Sequence, residues 1–490
     1  MELNQSQPNP SSQTTVNNGM LFVPSTQRRQ LRIPERRLIL MLGDTLAVVT
    51  AVLIALWVWS RVARYAFTVE FVLPNSYLFL VMALLWLVLA SANDFYDLSL
   101  SADRRRSIQR LLSITAQSVV IYLLVFFISP RDALPRLFIL YYGVASFILI
   151  ALWRGISPNL LGWAIQARRV LILGTGPTTA AIIHAIQEQH QHIYEIQGVI
   201  GESDMPDDTI SGVPVLGTDR DLTRIIEQGG ISELVLTSTR DLSPNAFQGV
   251  MDAYERGVTI MPMPLLYEHI TGQVPVEHVN DNWALVLPLE GSPLLSPYAI
   301  SKRLIEVMLS LVGMIPFLLL LPLIALAIRL DSPGGVFYSQ ERVGLNGRIF
   351  RVYKFRTMRQ DAEAKTGAVF SVRGDPRVTR LGRFMRKVRL DELPQLYNIL
   401  RGDMSLIGPR PERPEHVARL TEKIPFYRTR NVIRPGLTGW AQVRYEYGST
   451  DEDALIKLQY DLYYIRHQSL LLDLNILIRT VGRVLKMSGV

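Results

Sequence analysis

Four long apolar stretches dominate the first third of the chain. They lie at about 38–60, 71–92, 111–130 and 137–153, and each approaches the roughly 20 residues that cross a bilayer as a helix. Arginines are clustered before the first stretch, between the second and third, and after the fourth. By the positive-inside rule, we predict a transmembrane region over 38–155 with four spans, and a cytoplasmic location for everything after residue 154.

The residues ahead of the first stretch are polar. Residues 1–27 are rich in Ser, Thr, Asn, Gln and Pro, so they cannot bury enough apolar surface to offset their ordering entropy. We expect 1–37 to form a disordered cytoplasmic tail. Asp44 interrupts the first apolar stretch close to its arginine-rich end, and we interpret it as a structural or interfacial acid rather than a functional one.

Shorter apolar segments alternate with helical patterns over 168–290, which predicts a Rossmann-like domain with a parallel sheet. Its opening, RRVLILGTGPTTAAIIHAI, places Gly174 and Gly176 between a strand and a helix. Glycines in this position let backbone N–H groups approach a phosphate. Thr179 replaces the third glycine of the dinucleotide fingerprint. We therefore favour a structural or regulatory domain and assign no cofactor-binding residue there. Nucleotide binding by this domain is left open.

A fifth apolar run, VMLSLVGMIPFLLLLPLIALAI, occupies 307–328. A plain fifth span would place the basic C-terminal region on the far side of the membrane, against the charge bias. Pro316 and Pro322 also remove backbone donors in mid-run. We therefore prefer a re-entrant helix over 303–329, which enters the membrane and returns so that both of its ends are cytoplasmic. The plain span is the alternative.

Charge and composition narrow the function classes. Residues 329–490 contain 29 Lys+Arg and 17 Asp+Glu, although the net charge of the whole chain is only +8. Such a basic region suits anionic lipids or phosphorylated substrates, and without a recognisable nucleic-acid-binding motif we expect no nucleic-acid partner. The chain has no cysteine, which excludes disulfides and thiolate chemistry, and its 7 histidines are scattered.

Adjacent carboxylates, Asp391 and Glu392, follow a run of basic residues within RKVRLDELPQLYNIL. With Pro394 in the first turn of a helix, Asp391 would be a natural N-cap. The same position suits phosphate chemistry, with one acid attacking phosphorus and the other holding Mg²⁺. Arginines and a lysine nearby would supply charge for phosphates. The residues by themselves leave capping and catalysis equally open.

Resemblance to a known family favours catalysis. The blocks KFRTM, DELPQLYNILRGDMSLIGPRP and RPGLTGWAQV resemble the signature of bacterial sugar transferases, the polyprenyl-phosphate hexose-1-phosphate transferases or monotopic phosphoglycosyl transferases. The likeness covers about 298–490. Four spans followed by an α/β domain resemble the long form of this family, which initiates exopolysaccharide or O-antigen repeat units.

The resemblance implies a mainly helical catalytic domain over 298–490, with UDP-sugar and undecaprenyl phosphate as substrates and Mg²⁺ as cofactor. Asp391 would attack the β-phosphate, UMP would leave, and the lipid phosphate would take the sugar phosphate. Glu392 falls on the metal-assisting acid, and both acids are candidate metal ligands. Basic positions assigned to phosphate binding are Lys354, Arg386, Arg410 and Arg434. Leu321 before Pro322 departs from the small polar residue of many relatives.

These predictions describe a multi-pass enzyme of the bacterial inner membrane with a cytoplasmic catalytic domain, and they leave room for a homodimer. Two alternatives remain. One is a nucleotide-sugar oxidoreductase or epimerase that uses the α/β domain, and the other is a non-enzymatic membrane scaffold for polysaccharide assembly.

Overall fold

The structure is a computed structural model that describes residues 33–93, 95–96, 104–128, 137–160, 167–189, 193–201, 209–238, 242–278, 296–359, 375–445, 448 and 450–485. Most of the predicted N-terminal tail lies outside the described residues. The described chain is mostly helical and contains one mixed sheet of six strands.

Helices form the described part of the chain before residue 160. They are α1 (Ile33–Val62), α2 (Val69–Val72), α3 (Tyr77–Ala92), α4 (Arg104–Ile128) and α5 (Phe138–Leu160). Within α1 and α5, Leu38–Val62 and Phe138–Ser157 are long and apolar enough to cross a membrane, and α3 contains the shorter apolar stretch Tyr77–Ser91. The predicted stretch 111–130 falls mainly on α4.

Asp44 is fully buried in this helical bundle, where it pairs with Arg154 of α5. Arg154 Nη2 lies 2.7 Å from Asp44 Oδ2, and its Nε donates to Asp44 Oδ1 at 3.2 Å. The guanidinium also lies over the ring of Phe95, 4.2 Å from its centroid. A paired buried charge joining two helices agrees with the structural interpretation of Asp44.

An α/β domain follows the helical bundle. Its elements are β1 (Arg168–Leu173), α6 (Pro177–Gln189), β2 (Tyr194–Gly201), β3 (Thr209–Ile210), β4 (Val213–Thr218), α7 (Leu222–Gly229), β5 (Glu233–Leu236), α8 (Pro244–Glu255), β6 (Thr259–Pro262) and α9 (Met263–Thr271). The strand order is β3-β4-β2-β1-β5-β6. All pairs are parallel except β3 with β4, so the short β3 makes the sheet mixed, where a parallel one was predicted.

The glycine turn after β1 has a left-handed backbone at Gly174 and Gly176, with φ of +111° and +104°. Thr179 is buried, and its hydroxyl donates to the Gly174 carbonyl at 2.9 Å. A Cβ on Gly174 would lie 2.0 Å from the hydroxyl oxygen of Thr237. Glycine is therefore required here both by backbone conformation and by space.

The C-terminal region begins with α10 (Pro297–Asp331), a continuous helix of 35 residues that contains Pro316 and Pro322. It is the third helix in the described chain that is long and apolar enough to span a membrane. The remaining elements are β7 (Phe337–Val343), β8 (Ile349–Phe355), α11 (Arg380–Lys387), α12 (Gln395–Arg401), β9 (Ser405–Ile407), α13 (Pro414–Lys423), β10 (Gly436–Thr438), α14 (Trp440–Arg444), α15 (Asp451–Arg466) and α16 (Leu470–Leu485).

The C-terminal region contacts α10 along its whole length. Near the start of the helix, the Tyr298 hydroxyl donates to Asp473 Oδ2 at 2.9 Å. Just beyond its end, the Ser332 carbonyl accepts from Arg356 Nη2 at 2.7 Å. Phe317 and Ile328 between them are buried in one cluster with Phe355. One domain therefore holds both ends of the helix.

Candidate active site

The adjacent carboxylates lie in a short 3₁₀ turn, Leu390–Glu392, between α11 and α12. Arg389, directly before the turn, adopts a left-handed backbone with φ of +60°, which is uncommon for a residue other than glycine. Pro394 occupies the position before the first residue of α12. The predicted N-cap role of Asp391 is therefore wrong, because Asp391 lies inside the 3₁₀ turn and Pro394 is the residue that precedes α12.

Glu392 is the centre of an ion cluster. Its Oε1 atom accepts from Lys354 Nζ at 3.1 Å and from Arg410 Nη2 at 3.0 Å, and its Oε2 atom accepts from Arg389 Nη1 at 3.2 Å. Burial alone would raise the pKa of the Glu392 carboxyl, but Lys354, Arg410 and Arg389 hold that pKa well below its usual range. Glu392 is therefore an anion at every physiological pH.

Asp391 has a different environment although it is equally buried, with 8% of its surface exposed. In the described part of the chain, no hydrogen bond to its carboxylate is found. Burial raises the pKa of Asp391, and the Glu392 charge raises it further against the opposing effect of Lys354, Arg386 and Arg410. The two adjacent acids thus differ: one is neutralised by cations, and the other has free lone pairs. A carboxylate with free lone pairs can act as a nucleophile.

Lys354 reaches the cluster from the end of strand β8, where it pairs with Tyr338 of β7. Burial lowers the pKa of the Lys354 ammonium, while Glu392 acts to raise it. The strand is anchored by Asn398 of α12, which is fully buried. Its amide Nδ2 donates to the Arg351 carbonyl at 2.8 Å, and its Oδ1 accepts from the Tyr353 backbone at 3.2 Å. Asn398 was not predicted as a site residue. Its position among the apolar residues of YNIL was a signal that could have indicated a buried polar contact.

Arg386 lies in the last turn of α11, and its Nε donates to Thr357 Oγ1 at 2.9 Å. The helix approaches KFRTM closely, since a Cβ on Gly382 would lie 2.2 Å from the Thr357 carbonyl oxygen. The charge of Arg386 acts to lower the pKa of the Asp391 carboxyl. The structure thus gathers Lys354, Arg386 and Arg410 around the two acids.

Arg434 is placed elsewhere. It is exposed, and its Nε donates to the carbonyl of Gly402 at 3.1 Å. Gly402 caps the C-terminal end of α12, whereas the acids precede its first residue. A seven-residue helix is about 10 Å long, so the Arg434 anchor lies roughly that far from the acids.

Arg410 is held by a residue that sequence reasoning missed. Arg430, 5% exposed, donates from Nη2 to the Arg410 carbonyl at 3.1 Å and to Asp461 Oδ2 at 2.8 Å. Its Nη1 donates to the Tyr427 hydroxyl at 2.7 Å. A buried ion pair thus fixes the backbone of Arg410. Arg430 and Asp461 are 31 residues apart in sequence, so no local pattern indicates their contact.

The sequence predicts a Mg²⁺ ion beside Asp391 and Glu392. The described residues contain no group of three or more metal-ligating side chains. Mg²⁺, however, is usually bound through one or two carboxylates plus waters and substrate phosphates. A carboxylate has about four lone-pair sites, of which Glu392 uses three for its cations. The remaining site, together with Asp391, fits an ion that arrives with a diphosphate.

Two family profiles match the chain. The bacterial sugar transferase profile matches residues 297–487, and a CoA-binding domain profile matches residues 91–239. The chain is 31% identical to a UDP-glucose:undecaprenyl-phosphate glucose-1-phosphate transferase of Xanthomonas campestris over 70% of this chain and 72% of that protein. The chain belongs to the bacterial sugar transferase family, which confirms the resemblance.

Other members of the family match over shorter stretches. A UDP-N-acetylgalactosamine-undecaprenyl-phosphate N-acetylgalactosaminephosphotransferase of Aeromonas hydrophila is 45% identical over 44% of this chain and only half of its own length. A UDP-glucose:undecaprenyl-phosphate glucose-1-phosphate transferase of Caulobacter vibrioides is 46% identical over 38% of this chain and 69% of its own length. The named sugars of these relatives differ, so membership in the family does not identify the sugar.

Proposed function

We propose that this bacterial sugar transferase moves a sugar-1-phosphate from a UDP-sugar to undecaprenyl phosphate and releases UMP, thereby initiating exopolysaccharide or O-antigen repeat units. One observation carries the proposal. A buried carboxylate without a hydrogen-bond donor among the described residues, Asp391, lies beside Glu392, which three cations neutralise. This arrangement suits attack on a doubly charged diphosphate.

In the first step, an Asp391 oxygen attacks the β-phosphorus of the UDP-sugar. A bond forms between that oxygen and phosphorus, the bond from the β-phosphorus to the bridging oxygen breaks, and UMP leaves with the bridging oxygen and its electron pair. In the second step, an oxygen of undecaprenyl phosphate attacks the same phosphorus, and the Asp391 carboxylate is released. The lipid then carries a diphosphate-linked sugar.

The basic side chains would bind the phosphates. Lys354 and Arg410 both contact Glu392 and are close enough to Asp391 to lower the pKa of its carboxyl, so a phosphate at Asp391 would meet their charges. Arg386 adds a third charge at Asp391. Arg434 would contribute to phosphate binding only if the substrate reaches the far end of α12. Bound Mg²⁺ would neutralise phosphate charge and polarise the phosphorus–oxygen bonds, with Glu392 and Asp391 as its protein ligands.

The contacts at both ends of α10 support one arrangement of this helix in the membrane. Tyr298 and Ser332, at opposite ends of the helix, both contact the C-terminal region, so a helix perpendicular to the membrane would require that region to cross the bilayer as well. Its polar and charged residues would then be exposed to lipid. We therefore infer that α10 is re-entrant, with both ends and the catalytic domain on the cytoplasmic face of the bacterial inner membrane.

Cysteine labelling tests this topology, because the chain has no native cysteine. Ser296→Cys and Ser332→Cys should both react with an impermeant maleimide only after the membrane is permeabilised. Ser76→Cys, at the start of α3, is the matched control and should be labelled in intact cells. Labelling of only one α10 end in intact cells would support a plain span.

The remaining parts of the predicted architecture belong to the same proposal. Four helices, α1, α3, α4 and α5, would span the membrane ahead of a Rossmann-like domain, and the proposal leaves room for a homodimer. Mass measurement in nanodiscs tests the homodimer.

The two alternative functions have less support. An oxidoreductase would bind its cofactor at the glycine turn, yet the Thr179 hydroxyl donates a hydrogen bond to the Gly174 carbonyl there. A scaffold would leave the ion cluster at Glu392 without a purpose.

The activity is tested with purified protein in nanodiscs that contain undecaprenyl phosphate. A panel of UDP-sugars should identify one or more that yield UMP together with a lipid-linked sugar diphosphate. UMP release without the lipid product, or no UMP from any UDP-sugar, would contradict the proposal.

A further inference from the structure

Residues 263–278 are the last described residues of the chain before the C-terminal region. This segment, here called the docking segment, comprises α9 and the residues that follow it, and it lies between the stretches matched by the two family profiles. Val274 and Val276 are buried in one cluster with residues of α13 and α15. The Val274 amide also donates to the Gln459 carbonyl at 3.1 Å. The end of the segment is therefore packed in the core of the C-terminal region, whereas Met263, Leu266 and Ile270 of α9 are buried in the core of the α/β domain.

A buried charge fixes the position of the docking segment. Glu268 is 2% exposed, and its Oε1 atom accepts from Arg466 Nη1 at 2.6 Å. Its Oε2 atom lies 3.0 Å from His467 Nε2. An unpaired buried carboxylate costs several kcal/mol, so α9 is held where the end of α15 supplies these partners.

Two residues of the C-terminal region cap the C-terminal end of α9. Trp440 Nε1 donates to the Gly272 carbonyl at 3.0 Å, and Arg444 Nη2 donates to the Thr271 carbonyl at 3.5 Å. Donors and cations at the last carbonyls of a helix are favourable. Gly272 has φ of +69°, and a Cβ there would be 3.4 Å from the indole ring. The indole therefore lies directly against the docking segment.

Strand pairing and backbone hydrogen bonds connect Trp440 to the active site. It follows β10, which pairs with β9, and the Gly408 amide donates to the Thr438 carbonyl at 2.9 Å. The Gly436 amide in turn donates to the Pro409 carbonyl at 2.9 Å. Arg410 is the next residue, and its guanidinium binds Glu392. Hydrogen bonds thus join the docking segment, both strands and the site.

We propose that the docking segment positions Arg410 on Glu392, with Glu268 and Trp440 as its positioning residues. The α/β domain then contributes to catalysis without touching substrate. This inference rests on the proposed function, because its consequence is a change in UMP release.

The test uses the full chain in nanodiscs with undecaprenyl phosphate and an accepted UDP-sugar. Trp440→Phe keeps an aromatic ring but removes the indole donor, and Glu268→Gln removes the buried charge. Each should lower kcat/KM about tenfold, the factor for the net worth of one hydrogen bond. Each should also raise KM for the UDP-sugar more than it lowers kcat, because a displaced Arg410 guanidinium would contact the substrate phosphates less closely. Glu227→Gln, an exposed partner of Arg256 in the α/β domain, is the matched control.

A double-mutant cycle separates positioning from a purely structural role. In an Arg410→Gln background, Trp440→Phe should add no further loss of kcat/KM and no further rise in KM. If Trp440→Phe and Glu268→Gln lower only the Tm and leave KM and kcat at their wild-type values, the positioning role is wrong. Fully additive losses with Arg410→Gln would also overturn it. Absence of UMP release by the wild type would instead overturn the proposed function, and this inference with it.

Discussion

Lys354 Nζ lies 3.1 Å from Glu392 Oε1 and is one of the cations that keep the neighbouring Asp391 ionised. Only ionised Asp391 can attack phosphorus, so activity should fall as the pH drops through its raised pKa. Lys354→Gln removes a charge that lowers this pKa. We therefore predict that the acid limb of the pH–rate profile moves upward.

The pH dependence of kcat/KM for UMP release measures this shift. Lys354→Arg keeps the charge and should leave the acid limb near its wild-type position. Lys387→Gln, an exposed lysine of α11, is the matched control for loss of a basic residue. An unmoved acid limb in Lys354→Gln would show that Lys354 does not control Asp391.

Asp391 should destabilise the fold at neutral pH. Its folded-state pKa lies above the ordinary value, so its contribution to stability is most favourable at low pH and is lost as the pH rises through the folded-state pKa. Asp391→Asn imitates the protonated carboxyl. We predict a higher Tm than wild type at pH 7, and a difference that shrinks as the pH is lowered.

Thermal unfolding in nanodiscs at several pH values measures this effect. Asp252→Asn in α8 of the α/β domain is a control for the same substitution far from the cluster. A lower Tm for Asp391→Asn at pH 7 would contradict the environment that is assigned to Asp391.

The Arg430–Asp461 pair should be the most sensitive structural support of the site. Asp461→Asn leaves the buried guanidinium with only the more distant Glu412 carboxylate, 4.0 Å away, as its counter-charge. Breaking a buried ion pair costs about 3–5 kcal/mol in comparable cases. We expect a large drop in Tm and lower UMP release, because Arg430 also holds the Arg410 carbonyl. Asp403→Asn breaks the more exposed pair with Arg401 and should cost about 1 kcal/mol or less. Equal Tm values for the two variants would contradict this support role.

Local patterns predicted part of this molecule well. The apolar runs and the strands of the α/β domain follow from the pattern of apolar residues within a few residues. DELPQLYNIL also identified the two acids and KFRTM the lysine that contacts one of them. The different environments of Asp391 and Glu392 could not be predicted, because they depend on Lys354 and Arg410, which are 38 and 18 residues away from Glu392 in the sequence.

Other features were predicted wrongly or not at all, for physical reasons. Pro394 suggested an N-cap at Asp391, but the left-handed Arg389 and the 3₁₀ turn place both acids ahead of α12. The contacts of Glu268 with Arg466 and of Trp440 with Gly272 join residues 198 and 168 positions apart. No pattern in one sequence contains such distances, so the docking segment could be found only in three dimensions.

The central claim is that Asp391 is the nucleophile of a sugar-1-phosphate transfer. The most direct measurement is UMP release from UDP-sugar by wild type and Asp391→Asn in nanodiscs with undecaprenyl phosphate, with thermal unfolding as the check on folding. The account predicts UMP release and a trappable phosphosugar on Asp391 in the wild type, and neither in a folded Asp391→Asn variant. Wild-type rates of UMP release by Asp391→Asn would contradict it.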